Sequence, residues 1–240
     1  MKLPVYFLLS CTLLFSACES TQQILKTIGQ TQGPELTNSE IVSGLKEALS
    51  VGARNSSNQL SAVDGFFKNA AIKILLPEEA QKVEKTLRDL GLGSLVDNAI
   101  LSLNRAAEDA AKSVAPIFID AITSMSIQDA LGILQGGDFA ATNYLKAKTT
   151  TPLTNAFRPV IESSLQKVNA TKYWSDVFTA YNKFATNKVN PDLTAYVTGK
   201  ALDGIFYQVG LEEQKIRKDP VARVSEILKK VFGSQLAAGK

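Results

Sequence analysis

The stretch "NRAAEDAAK" sets Asn104, Arg105, Glu108, Asp109 and Lys112 among four alanines. On a helix, Asn104, Glu108 and Lys112 form one ladder at four-residue steps, and Arg105 and Asp109 form a second beside it. Glu108 and Asp109 invite an acid–base reading, but adjacent residues point along different faces and the stretch supplies no third catalytic element. Glu212 and Glu213 meet the same objection. Paired carboxylates hydrolyse glycosides only at defined separations and in defined surroundings. Carboxylates also suit a hard cation, with "QGGD" at 135–138 as a contributor. Three readings of the stretch stay open: a polar seam inside the fold, a solvated helix face, and a ligand or catalytic site. In the first, Ala106, Ala107, Ala110 and Ala111 let a neighbouring backbone come close, and enclosed polar groups must satisfy one another. The segment "EEQKIRKDPVAR" offers partners, so the candidate network or ligand site comprises Asn104, Arg105, Glu108, Asp109, Arg217, Asp219 and Arg223.

The missing residue types narrow the chemistry further. The chain has no histidine, which removes Ser-His-acid and Cys-His catalysis, histidine zinc sites and histidine proton relays. Its two cysteines, Cys11 and Cys18, lie at the N-terminus. "GLGS" at 91–94 lacks both the pattern and the preceding strand of a nucleotide-binding loop. No catalytic residue, metal site or cofactor is assigned. A formal charge of +3, with scattered lysines and arginines, gives no dense basic patch for nucleic acid. Residues 212–230 are the richest in basic groups, but Glu212, Glu213, Asp219 and Glu226 dilute them, and a solvated helical surface is expected there.

The first residues read as an export signal. Lys2 is followed by an apolar run from Leu3 to Phe15, too short to span a bilayer. "FSAC" has the form of a lipoprotein signal that would leave Cys18 acylated at the new N-terminus; an ordinary cleaved secretory signal is the plainer alternative. The expected organisation is a signal at 1–17, a lipidated tether at 18–36, one helical domain at 37–233 and a short tail at 234–240. That places the protein on a membrane of the bacterial cell envelope, with its folded part periplasmic.

Almost every remaining segment has a helical period. "TNSE" is a capping box ahead of Ile41, Leu45, Ala48 and Leu49. Ile72–Leu76 forms a short extended segment or a buried turn. Pro77 opens a helix with the apolar row Val83, Leu87 and Leu90, and Gly91 closes it. A long helix from near Ser94 carries "NRAAEDAAK" and should bend or divide at Pro116. "SIQD" caps the next helix, and Gly136–Gly137 stop it. A short helix follows, the threonines at 149–151 separate it from another, and Pro159 predicts a kink or boundary. Trp174, Val177, Phe178 and Tyr181 form a stripe that fits core packing, as do most other aromatics. Asn190 and Pro191 start a helix with Leu193, Val197, Ala201, Ile205 and Val209 on one face. Asp219 and Pro220 start the last, with Val224, Ile227, Leu228 and Val231 as its stripe. The expectation is an all-α, irregular bundle of roughly eight to ten helices.

Five stretches together, "GLKEAL", "DGFFKNAAIKILLP", "LNRAAEDAA", "FAATNYLKAKTTTPL" and "YVTGKALDGIFYQVGLEEQKIRKDPVARVSEILKKVFG", resemble the bacterial domain-of-unknown-function family number 4197. The resemblance implies an exported, helix-rich protein with a lipoprotein-type N-terminus, and it carries no catalytic assignment. The leading functional expectation is a noncatalytic, membrane-tethered module that contacts an envelope protein or lipid. A carboxylate-dependent enzyme and a lipid-binding module are the alternatives.

Overall fold

The computed structural model describes residues 37–183, 188, 190 and 192–234, except for the side chains of 173, 176–178, 180 and 181. The expected signal, the lipidated Cys18 and the tether lie outside these residues. Nine α-helices occur among them: α1 (Asn38–Ser61), α2 (Gln81–Asp89), α3 (Gly93–Ala111), α4 (Val114–Thr123), α5 (Ile127–Gln135), α6 (Ala140–Gln166), α7 (Ala170–Tyr181), α8 (Leu193–Lys218) and α9 (Glu226–Phe232). Single 3-10 turns at Glu78–Ala80 and Pro220–Ala222 precede α2 and α9. The fold is all-α, an irregular bundle with no sheet among the described residues.

The helices α1, α3, α6 and α8 meet in the centre, with α4, α5 and α9 packed on α1. Ile41, Leu45, Ala48 and Leu49 of α1 are buried, as their spacing requires, and so are all five residues of the α8 row from Leu193 to Val209. The "SIQD" box is present: Ser126 Oγ accepts from the Asp129 N–H while Asp129 accepts from the Ser126 N–H. Gly91, at φ +78°, ends α2 in a Schellman turn in which the Leu92 N–H donates to the Leu87 carbonyl at 2.9 Å.

Several boundaries differ from the sequence expectation. The chain divides after Ala111, so Pro116 sits in the first turn of α4 rather than at the break. Helix α6 runs unbroken for 27 residues through the threonines, Pro152 and Pro159. Leu145, Thr149, Leu153, Phe157, Ile161 and Leu165 are buried at every fourth position, and both prolines lie on the exposed side. Five apolar side chains at about 1.5–3 kcal/mol each outweigh about 3 kcal/mol for each interior proline. The threonines turn their hydroxyls back onto the helix, as in Thr149 Oγ1 donating to the Leu145 carbonyl at 2.6 Å. Helix α8 is capped by Asp192, which accepts from the Ala195 N–H at 2.9 Å; Asn190 instead accepts from the Asp192 N–H. Asp219 opens only a 3-10 turn, Ser225 caps α9, and Val224 points into solvent.

Candidate functional site

Asn104 and Glu108, one turn apart on α3, hold the irregular chain between α1 and α2. Asn104 is fully buried. Its carbonyl accepts from the Ile74 N–H at 2.8 Å, and its amide donates to the Ile74 and Ile100 carbonyls at 2.8 and 2.7 Å. One side chain thereby serves both polar groups of a buried peptide segment that no sheet or helix satisfies. Glu108 accepts the successive N–H groups of Phe66 and Phe67 through Oε1, each at 3.1 Å, and pairs through Oε2 with Arg105 at 2.5 Å. Arg105 continues to Asp64 at 2.7 Å, and Lys68 closes on Asp64 at 2.8 Å. The Lys68 and Arg105 hydrogen bonds hold the Asp64 carboxyl below its ordinary range, and Glu108 and Asp64 raise the Arg105 guanidinium.

The loop so fixed drives Phe66, Ile72 and Ile74 into the core. Phe66 lies over α8 at Gly204, where a Cβ would come within 2.6 Å of its ring. Ala106, Ala107, Ala110 and Ala111 are all fully buried. Ser57 of α1 reaches the Ala111 carbonyl at 3.0 Å, which shows how near that helix comes. Asp109 takes no part: it pairs with Lys112 at 2.8 Å on the exposed side.

Arg217, Asp219 and Arg223 are not brought to this network, because the 64–74 loop occupies the polar face of α3. They serve a second one. Glu213, also buried, accepts the Ala141 and Thr142 N–H groups at 3.0 and 2.9 Å and the Thr142 hydroxyl at 2.8 Å. It therefore caps α6, whose own N-cap residue, Phe139, makes no side-chain bond. Arg217 pairs with Glu213 at 2.8 Å and donates to the Ile133 carbonyl at 2.8 Å, so α8 clamps the end of α5 to the start of α6. Asp138 of "QGGD" pairs with Lys218 at 2.9 Å. Asp219 accepts from the Val221 N–H at 2.9 Å, and Arg223 donates to the Ile216 and Arg217 carbonyls at 3.1 and 2.9 Å, closing the end of α8. Glu212 is buried against α1, where it accepts from Asn55 at 3.2 Å. The solvated surface expected for 212–230 thus fails at both glutamates and at Ile216 and Leu228. Among the described residues, no group of three potential ligands is placed to hold a metal ion.

Two grooves flank the anchored loop. One, of about 470 Å³, is apolar and runs between α2, α3 and α7, with Leu76, Ala80, Val83, Leu87, Leu95 and Trp174 on its walls. The other, of about 690 Å³, lies between residues 71–79 and α8 and carries Lys73, Glu78, Glu79, Lys200 and Asp203. Tyr196 crosses the second groove to donate to the Leu75 carbonyl at 2.9 Å; burial, then Glu79 and Glu78, push its phenol up. The sequence placed Trp174 in a core stripe and expected Val83, Leu87 and Leu90 to pack. Trp174 packs, half-buried, against Ala80 and also lines both grooves, and α2 buries none of its residues. The side chains of Val177, Phe178 and Tyr181 lie outside the described ones. The amphipathic row Val83, Leu87 and Leu90 has the spacing of a packed face, and nothing in the sequence marks that face as uncovered.

No single described helix is long and apolar enough to cross a membrane. One pair bent by 108°, Gly93–Thr123 with Ile127–Gln135, passes on length and composition, but its members carry the buried Asn104 and Glu108 and pack against α1. The molecule is an all-α bundle with a polar-pinned loop beside an open apolar groove. The chain belongs to the family described as "Protein of unknown function (DUF4197)", which matches residues 35–233. No curated protein and no solved structure matches it.

Proposed function

We propose that the protein is a noncatalytic binding module, tethered to a membrane of the bacterial cell envelope through acylated Cys18, that holds an apolar ligand in the groove between α2, α3 and α7. The observation that carries this reading is α2: a helix with a continuous apolar row, no buried residue, and Val83 and Leu87 facing an apolar groove. Concave, mostly apolar sites of about 300–1,000 Å³ are the usual form of small-ligand sites. The carboxylates considered for chemistry point the same way. Glu108 and Glu213 accept backbone N–H groups and pair with arginines, and Glu212 accepts from Asn55 and Lys215. The "FSAC" sequence and the short apolar run before it support the tether and periplasmic placement.

A second reading has the same face receive a partner protein. Leu90 and Leu92, exposed by 69% and 42%, favour it by extending the apolar surface beyond the groove. A photo-crosslinking residue at Leu95, with one at Asp109 as the outward control, separates the two in intact cells. The ligand reading expects lipid-sized adducts at Leu95 and none at Asp109. A discrete protein adduct at Leu95 transfers the groove to the interaction reading, and adducts at neither site refute both.

A further inference from the structure

The apolar and charged grooves adjoin, because Leu76 and Trp174 line both. We infer that together they bind a monoacyl lipid with a zwitterionic headgroup, its chain between α2, α3 and α7 and its headgroup between residues 73–79 and α8. This rests on the apolar-ligand reading and names the ligand class.

The two halves ask for different chemistry. In the apolar half, Val83, Leu87, Leu95 and Ala80 leave water few partners, and its volume of about 470 Å³ corresponds to roughly fifteen waters at about 30 Å³ each. Displacing that water with hydrocarbon is favourable in proportion to the apolar area covered. A second acyl chain would have to lie past Leu76 and Trp174, against charged walls.

The charged half carries both signs. Lys73 and Lys200 supply positive charge and Glu78, Glu79 and Asp203 negative, and none of these five is in an ion pair among the described residues. Lys73 rests 4.1 Å from the centroid of the Phe67 ring, and Lys200 5.9 Å from that of Tyr196, so each ammonium lies against an aromatic face. A fatty acid would bring its charge to three like-charged carboxylates, and a cationic amphiphile would leave the two lysines without an anion. A phosphate joined to an ammonium offers a partner to each sign of this wall, the phosphate to Lys73 or Lys200 and the ammonium to Glu78, Glu79 or Asp203. The exposed Tyr207 ring adds a face suited to an ammonium group.

The test uses the full chain in membrane vesicles and trace lipids with a photoreactive acyl chain: a monoacyl phosphoethanolamine, a monoacyl phosphoglycerol, a fatty acid and a diacyl phosphoethanolamine. Adducts are mapped by peptide mass spectrometry. The expected result is adducts on α2, α3 and Trp174, with the monoacyl phosphoethanolamine favoured about tenfold over each alternative. Charge reversal by Asp203→Lys, at an exposed position, should erase most of its advantage over the phosphoglycerol lipid. Equal labelling by all four in the groove overturns the headgroup and single-chain assignments while leaving the apolar-ligand reading intact. Equal labelling by the diacyl lipid alone overturns the single chain. An Asp203→Lys protein with unchanged preference overturns the headgroup placement, and no groove adduct from any lipid overturns this inference and the reading beneath it.

Discussion

Two glutamates solve the same problem at separate places. Glu108 on α3 and Glu213 on α8 are both buried, both accept two successive backbone N–H groups, and both pair with an arginine on their own helix. What they secure differs. Glu213 completes a regular element, the first turn of α6, and its arginine is nearly enclosed, with 10% of the side chain exposed. Glu108 secures a loop with no repeating hydrogen bonds, and its arginine, 37% exposed, reaches outward to Asp64. No residue of the Glu213 clamp lines either large groove, whereas the loop held by Asn104 and Glu108 forms a wall of one and contributes Leu76 to both. A buried carboxylate with an arginine is therefore no sign of catalysis here; its meaning lies in the backbone it holds.

Removing partners in turn should separate the two regions. The largest loss is expected for Glu213→Ala, which strands the enclosed Arg217 and two N–H groups: about 3–5 kcal/mol in denaturant unfolding, with adducts at Leu95 kept wherever the protein stays folded. Asn104→Ala should cost less, about 2–4 kcal/mol for leaving both Ile74 backbone groups unpaired, yet it should weaken groove labelling, because the wall loosens. Glu108→Gln keeps an acceptor for Phe66 and Phe67 but turns an amide donor toward Arg105, which retains Asp64, so about 1–2 kcal/mol is expected; at about 2–4 °C per kcal/mol, calorimetry resolves all three.

The smallest effect is on pH dependence. The Asp64 carboxyl is held below its ordinary value of 3.8, so its contribution is full above that value and is lost as pH falls through the lowered one. Acid unfolding curves of Asp64→Asn should lack that part of the loss below about pH 4 and match wild type in slope near neutrality. A slope difference near pH 7 would contradict the assignment.

The regular parts of this fold were legible because one buried face dictates a period. The rows of α1 and α8 follow directly from leucines, isoleucines, valines and alanines at helical spacing. Failures occur where two local signals compete. Pro152 and Pro159 say stop, while the every-fourth stripe from Leu145 to Leu165 says continue, and burial wins. "NRAAEDAAK" showed the small residues and polar groups of a seam, but its partners are mostly backbone atoms of residues 66, 67 and 74. Backbone groups are the same at every position, so side-chain complementarity pointed instead to the charged residues at 217–223. The groove was hidden for the converse reason: Val83, Leu87 and Trp174 have the spacing of core residues, and only tertiary structure shows that their faces lack a cover.

Residue-resolved amide hydrogen exchange on wild type, Asn104→Ala and Glu213→Ala tests the division of labour most directly. The account predicts that Asn104→Ala speeds exchange across the groove wall at residues 72–76 while Ala141 and Thr142 keep their protection, and that Glu213→Ala does the reverse. If exchange at 72–76 rises in both variants in proportion to lost global stability, the α3 seam is not a dedicated mount for the groove, and the account fails.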